Sequence, residues 1–486
     1  MIIIGIDVGT QGIRTIAVDE KGNVIATFHE DLQPSVSPHE GFKEQDPRDW
    51  KITFDKCFKK LIYGIKAQNH TTSEIVAISV DGTSGTVLPM DENNIPLTKA
   101  IMYNDSRAQE ETRVIKEVTH DFSEKVGYGF NSSFALPKIL WIKNNMPEVY
   151  KKTRKFIHQT DYIVGLLTGV YDITDHSNAL KTGFDLIDYQ WQEDIFQELG
   201  LDLNKFPKVI RPGEYIAHVS KKAAEEYGLA TNTVVVGGLT DGCAGQMASG
   251  AVKEGAWNTI LGTTLVIKGI TRDLMKDKQG RIYSHLHPEG LWMPGGASNT
   301  GGECLEKVFP GINYKEWDLK AEQYFPTNLI VYPLVKKGER FPFINPNAEG
   351  FVIGNPIDDT ELYAGYLEGV GLCERLCYET LNKMGARVSD EIYVTGGGTK
   401  SNIWMKVRAS ILNKTLLKPQ ISDPCMGTAV IAASKTIYSD VMEAAANMIK
   451  SSEIILPNQN LVKAYEEKYN RFKELMVERG YIRRSL

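Results

Sequence analysis

The chain has 486 residues, 42% apolar and 24% charged, which are ordinary proportions for a folded globular protein. They exclude intrinsic disorder, a collagen-like repeat and a small disulfide-stapled scaffold, and at ~150 residues per domain they allow three domains or two large ones. A net charge of −6 gives no global electrostatic reason to bind nucleic acid or an anionic membrane.

The chain opens on strands. Ile2 to Ile6 is an apolar run closed by Asp7, and Gly9-Thr10-Gln11-Gly12 is a turn. Ile13 to Val18 alternates, and Val24 to Phe28 completes a three-strand meander. This opening lacks the basic region of a signal peptide, and no window of ~18 apolar residues follows, so a cytoplasmic protein without a membrane span is expected. Helical spacing runs from Trp50 to about Lys66, with Phe54, Cys57, Phe58, Leu61 and Ile62 on one face. A β-branched strand over Glu74–Val80 ends at Asp81-Gly82-Thr83-Ser84-Gly85. A buried strand at Thr233–Val236 starts a second pattern, in which Trp257–Leu261, the turn Gly262-Thr263-Thr264 and Leu265–Ile270 echo the chain's own opening. A helix over about Glu361–Met384, a strand at Glu391–Thr395 and a charged helical tail from Val462 follow. Two similarly built α/β halves are expected. The six cysteines form no C-x-x-C pair, which removes zinc-ribbon and thioredoxin readings, and scattered free thiols suit a reducing compartment.

The glycine-rich elements exclude several phosphate sites. No Gly-Lys dipeptide and no G-x-G-x-x-G occurs, so Walker A, dinucleotide-fold and protein-kinase loops are absent. Four sites remain. Asp7 stands at a strand end before a turn whose N–H groups can cradle phosphate while the carboxylate holds Mg²⁺ through water; an ordinary hairpin is the alternative. Gly262-Thr263-Thr264 is a second hydroxyl-bearing turn. Gly396-Gly397-Gly398-Thr399-Lys400-Ser401 lets a flat base approach the backbone. Asp241 follows a buried strand, where carboxylates face the ligand crevice of open α/β sheets; a helix N-cap is its alternative.

In this order the four sites resemble the sugar-kinase branch of the actin/Hsp70-like superfamily, and specifically the FGGY carbohydrate kinases. Further blocks carry the resemblance: Lys43-Glu44-Gln45-Asp46-Pro47 with Trp50, Ala100 to Arg107, Pro137 to Trp141, Gly338-Glu339-Arg340-Phe341-Pro342, Gly396 to Gly398 with Trp404, and Met426-Gly427-Thr428-Ala429. The first sugar loop departs from the usual xylulokinase Q-M-H-G and reads Asp81-Gly82-Thr83-Ser84-Gly85-Thr86. With Asp175 to Lys181 and Gly295 to Gly302, it is similar to the D-ribulokinase-type, xylulokinase-like group.

The resemblance implies two ribonuclease-H-like α/β domains around a catalytic cleft. Domain one is expected over 1–241 with about 430–486, carrying the sugar and the first phosphate turn; domain two is expected over 242–430, carrying ATP. Asp241 would be the general base and Asp7 the Mg²⁺ residue. Thr10, Gln11, Gly262 and Thr263 would flank the phosphates, with Gly397, Gly398, Ser401 and Trp404 around the adenosine. Asp81, Ser84, Asn104 and Asp105 would contact the sugar. The implied reaction is ATP-dependent phosphorylation of a ketopentose, D-ribulose or D-xylulose, to its 5-phosphate. L-ribulose, a tetrulose, glycerol or a non-kinase nucleotide switch are the alternatives. Small-molecule substrates, no nucleic acid and no membrane are the expected partners; a homodimer stays open.

Overall fold

The computed structural model describes residues 1–484. The chain divides into two compact units, each built on a seven-stranded mixed sheet.

The first unit begins with β1 (Ile2–Val8), β2 (Gly12–Asp19) and β3 (Val24–Asp31), the expected meander. Every residue of β1 is buried, as a continuous apolar run requires when both faces of a strand are covered. Helix α1 (Pro47–Ala67) starts on an Asp46 side chain that accepts from Arg48 N, with proline at its first position. Its Phe54, Cys57, Phe58 and Leu61 recur at helical spacing and are fully buried in the core beneath the sheet. β4 (Ile75–Gly82) lies parallel to β1. After α2 (Gln159–Thr168) and the short α3 (His176–Leu180), the edge is completed by β5 (Tyr215–His218), β6 (Val234–Val236) and β7 (Leu239–Thr240). The order is β5-β6-β4-β1-β2-β3, with β7 also pairing parallel to β4. Helix α4 (Asp241–Ser249) leaves directly from β7.

The second unit repeats the plan. β8 (Trp257–Leu261) and β9 (Leu265–Gly269) form the hairpin. β10 (Ile282–Leu286) and β11 (Trp292–Ser298) extend it on one side. Helix α5 (Asp359–Lys383) is followed by β12 (Glu391–Thr395), parallel to β8. Helix α6 (Asn402–Leu412) then leads to β13 (Thr415–Pro419). The chain next returns to the first unit with α7 (Pro424–Ala433), and goes back to the second with β14 (Ser451–Ile455) and α8 (Gln459–Glu478). The second order is β10-β11-β9-β8-β12-β13-β14.

The unit boundaries differ from those expected. The first unit holds Met1–Gly250, His285–Gly290 and Asp423–Lys450; the second holds the remainder, including everything from Ser451 onward. The tail expected in domain one is therefore split. Tyr465, Tyr469 and Phe472 of α8 bury themselves in the second core, which draws the tail there. Conversely, most of α7 falls within the 242–430 expected for domain two, and it instead belongs to the first unit and covers β1. A Cβ added to Gly5 would lie 1.9 Å from Cys425 O, and one on Gly427 would lie 1.9 Å from Ala244 O. Two backbones approach this closely only where side chains are missing.

Candidate active site

The first unit gathers carboxylates at the carboxyl ends of its parallel strands. Asp7 and Asp81 are register partners on β1 and β4, so they share a face. β7 pairs Leu239 with Asp81 and Thr240 with Gly82, which sets Asp241 just beyond the same edge. Asp423 caps α7 and adds a fourth. Arg14 on β2 brings a cation to this group: its Nη1 donates to Asp7 Oδ2 at 2.9 Å and its Nε lies 3.7 Å from Asp423. Sequence reasoning missed Arg14 and Asp423. The Asp-Pro pair at 423–424 is a helix-start signal that could have found the second.

This crowding has an electrostatic consequence. Burial, aided by the charges of Asp423 and Asp241, raises the Asp7 carboxyl to about 6, against the opposing pull of Arg14. Burial and the Asp7 charge push Asp81 well above the usual carboxylate range. Thr428 donates its hydroxyl to Asp81 Oδ2, whereas the buried Oδ1 has no hydrogen-bond partner. Asp81 is thus a fully buried member of the acid cluster, and the expected direct sugar contact gives way to that role. Hard oxygen donors, surplus negative charge and an unpartnered carboxylate oxygen fit a divalent cation. Among the described residues no three Asp, Glu, His or Cys side chains form a closed metal cage.

Asp241 is the first residue of α4, and Thr240 occupies the N-cap, so the cap alternative goes to its neighbour. Its Oδ1 accepts from Gly242 N at 2.6 Å. The Thr10 turn is closed by Gly9 N donating to Gly12 O at 3.0 Å. Gln45 Nε2 donates to Thr10 O at 2.8 Å while Gln45 Oε1 accepts from Trp50 Nε1 at 2.9 Å, so the Gln45–Trp50 block serves to hold this turn. Thr10 is half-buried and Gln11 is exposed.

The loop after β4 is rigid. Thr83 Oγ1 donates to Gln159 Oε1 at 2.7 Å, and His158 Nδ1 donates to Thr86 O at 2.9 Å. Gly85 takes φ 86°, and any Cβ there would meet Ser133 O at 2.3 Å. Ser84 alone in this loop is half-buried and turned toward solvent. Asn104 is exposed and available to a ligand. Asp105 is not: it is buried and accepts from Lys43 N, Arg107 N, Arg107 Nε and Arg107 Nη2. With its lone pairs engaged it anchors the 43–45 segment, which replaces the expected sugar contact.

In the second unit the Gly262–Thr264 turn joins β8 to β9. Gly302 N donates to Gly262 O at 2.8 Å, Glu303 N to Thr263 O at 3.2 Å and Leu265 N to Thr300 O at 2.8 Å. Behind it stands Glu339, a buried carboxylate of the Gly338-to-Pro342 block. It accepts from Ser298 Oγ at 2.8 Å, Asn299 N at 2.7 Å, Tyr332 OH at 3.0 Å and Arg340 N at 2.9 Å. Its role here is to fix the 298–300 segment against the turn.

Gly397 faces open space, whereas a Cβ on Gly398 would strike Leu261 Cδ2 at 2.5 Å. Gly397 is therefore the glycine placed to admit a flat ligand, and Gly398 is small for packing. Ser401 caps α6 through Trp404 N. Trp404 corrects the expected base contact: it is 4% exposed, with Nε1 donating to Leu367 O at 2.9 Å inside the second core. No helix among the described residues is long and apolar enough to cross a membrane.

Comparison with known proteins agrees with this layout. Residues 2–248 match the N-terminal domain of the FGGY family of carbohydrate kinases, and residues 258–436 match its C-terminal domain. A xylulose kinase of Staphylococcus epidermidis is 26% identical over 487 residues, spanning 98% of this chain and 96% of that protein. A gluconokinase of Bacillus subtilis is 25% identical, spanning 95% and 93%. The crystal structure of a xylulose kinase from Rhodospirillum rubrum superposes with a TM-score of 0.86 at 24% identity, covering 98% of this chain and 99% of that one. Both family domains follow one another over most of the chain on the actin/Hsp70-type fold, and the protein belongs to the FGGY carbohydrate kinases: it is a sugar kinase.

Proposed function

We propose that this kinase transfers the terminal phosphoryl group of ATP to the 5-hydroxyl of a ketopentose, D-ribulose or D-xylulose. The observation that carries the reading is the set of carboxylates, Asp241 beside Asp7 and Asp81, at adjacent strand ends of the first unit. Asp241 accepts the proton of the attacking hydroxyl. Asp7, with Thr10 and Gln11 beyond it, faces the phosphate side. A bound Mg²⁺ would be held by Asp7 through water and would offset phosphate charge. Ser84 and Asn104 are the polar groups left to contact the sugar. In the second unit, Gly262 and Thr263 supply a phosphate turn, and Gly397 supplies the flat surface for the base. Transfer of this kind needs little covalent help, so positioning and charge carry the rate.

The ketopentose is favoured by the xylulose kinase relatives and by the 81–86 loop. A second reading, an aldonate acceptor, is favoured by the gluconokinase relative and by Lys181, whose Cδ would lie 3.3 Å from a Cβ on Gly85. Six buried free thiols support a cytoplasmic setting. The test is ADP release over a panel of ketoses, aldonates and polyols. The highest kcat/KM is expected on D-ribulose or D-xylulose; a preference for gluconate or glycerol overturns the ketopentose.

A further inference from the structure

Between the sugar loop and Asp241 runs a buried polar layer that the reaction as described does not use. Asp175 caps α3 and accepts from Ser177 N at 2.8 Å, Ser177 Oγ at 2.5 Å and Asn178 Nδ2 at 2.7 Å. Ser177 Oγ, whose O–H is donated to Asp175, accepts from Thr240 N at 2.9 Å. Thr240 is the residue immediately before Asp241 and the N-cap of its helix. A second branch leaves the same short helix: Asn178 Nδ2 donates to Thr160 Oγ1 at 3.1 Å, and the Thr160 methyl lies 3.2 Å from a Cβ placed on Gly82, at the root of the sugar loop. His176 Nε2 donates to Leu286 O at 2.9 Å and fixes the helix from its other side. Asp175, His176, Ser177 and Asn178 are all buried.

We infer that Ser177, oriented by Asp175, is a positioning residue for Asp241. A serine hydroxyl has one O–H, and Asp175 accepts that hydrogen bond, so the oxygen's lone pairs turn to the Thr240 amide. That amide sits where β7 ends and α4 begins, and the bond fixes the entry angle of the helix that carries the base. The α3 helix thereby holds the base and the acceptor loop in one frame. A shift of the base by a fraction of an ångström leaves binding intact and slows transfer. The inference rests on Asp241 being the general base.

The experiment is a double-mutant cycle on the full-length enzyme with Ser177→Ala, Asp241→Asn and the pair together, following phosphoryl transfer to the best sugar of the panel. Ser177→Ala should lower kcat by about 10- to 100-fold, with the KM for sugar and for ATP each within about twofold of wild type. In the Asp241→Asn background the same change should cost almost nothing. Equal loss in both backgrounds overturns the inference while leaving the base in place, and so does wild-type kcat in Ser177→Ala. Near-wild-type turnover in Asp241→Asn removes the base reading itself, and the inference with it. Should Ser177→Ala fail to fold, Asp175→Asn, which keeps an acceptor but loses the charge that orients the hydroxyl, enters the same cycle with the same expected pattern.

Discussion

The two units use one strand plan and differ in the charge placed at the ends of their central strands. In the core of the second, Arg408 meets Glu374 through two bonds of 2.7 and 2.9 Å with both side chains 0% exposed, and Lys468 bonds Glu368. At the strand ends of the first, Asp7 and Asp81 lie side by side, Asp7 bonded to a half-exposed Arg14 and Asp81 to the Thr428 hydroxyl. The equivalent strand ends of the second unit read Leu261-Gly262 and Thr395-Gly396, with no charge at all. A buried ion pair with matched charges belongs to architecture; a crowd of carboxylates with surplus negative charge costs stability and marks a candidate ligand site. On the proposed reading the repeated fold divides its labour, with acid–base and cation chemistry on one sheet and neutral, close-approach turns on the other.

The largest effect tests the acid side. Asp241→Asn keeps shape but removes the proton acceptor, so sugar-dependent turnover should fall by about 10²–10⁴-fold while nucleotide affinity barely moves. Steady-state kinetics with a nucleotide-binding titration check both halves, and near-wild-type turnover breaks the division of labour. The paired side should respond in stability instead. Glu374→Gln leaves a buried guanidinium uncompensated and should cost about 3–5 kcal/mol of folding free energy. Denaturant unfolding measures this, and the fraction still folded should keep its kcat.

Asp7→Asn sharpens the contrast because it should do the reverse. The folded-state pKa of Asp7 is raised to about 6 from 3.8, so holding it ionised opposes folding above that range. Removing the charge should stabilise the ligand-free protein by about 2–3 kcal/mol at pH 8, a gain that vanishes as pH falls toward 4. Mg²⁺-dependent binding and turnover should drop together. A variant that is both less active and less heat-stable at pH 8 would contradict the crowding argument.

The smallest effect concerns His158, whose ring is held neutral by burial with its pKa lowered from 6.5 to about 4. The unfolded chain takes up this proton first, so the His158 contribution to stability is lost as pH falls from 6.5 toward 4. His158→Gln should be destabilised at pH 7 through its lost bonds to Thr86 and Thr182. The gap to wild type should then narrow by about 1.4 kcal/mol per pH unit below 6.5. Melting curves across that range test it; a constant gap would mean that the ring is charged in the folded state.

Local pattern revealed the strands and turns but not their meeting. The β1 run, the Thr10 turn and the α1 stripe are all set by residues within one or two turns of each other, and they were legible. Asp7 and Asp241 were also legible, because each directly follows a buried run. Their convergence with Asp81 was not, since it depends on β4 pairing in parallel with strands far away in sequence. Asp105 and Trp404 were misread for a related reason. A carboxylate or indole in a motif carries no mark of whether its polar atoms are spent on neighbours, and here Lys43, Arg107 and Leu367 spend them. The exchange of segments after Gly250 and Asp423 leaves no linker composition to read.

That exchange bears on how the protein is made. Tyr438 donates its hydroxyl to Glu20 O, 418 residues earlier, and the helix that covers Gly5 begins at Pro424. At ~5–20 residues per second, a ribosome takes roughly 20–80 s to deliver that cover after β1 has emerged. Through this interval the face of β1 that α7 will cover has no lid, so the nascent first unit is an open, sticky sheet. Of the two units, the one with the clustered carboxylates is also the one whose first strand waits for a cover made more than 400 residues later.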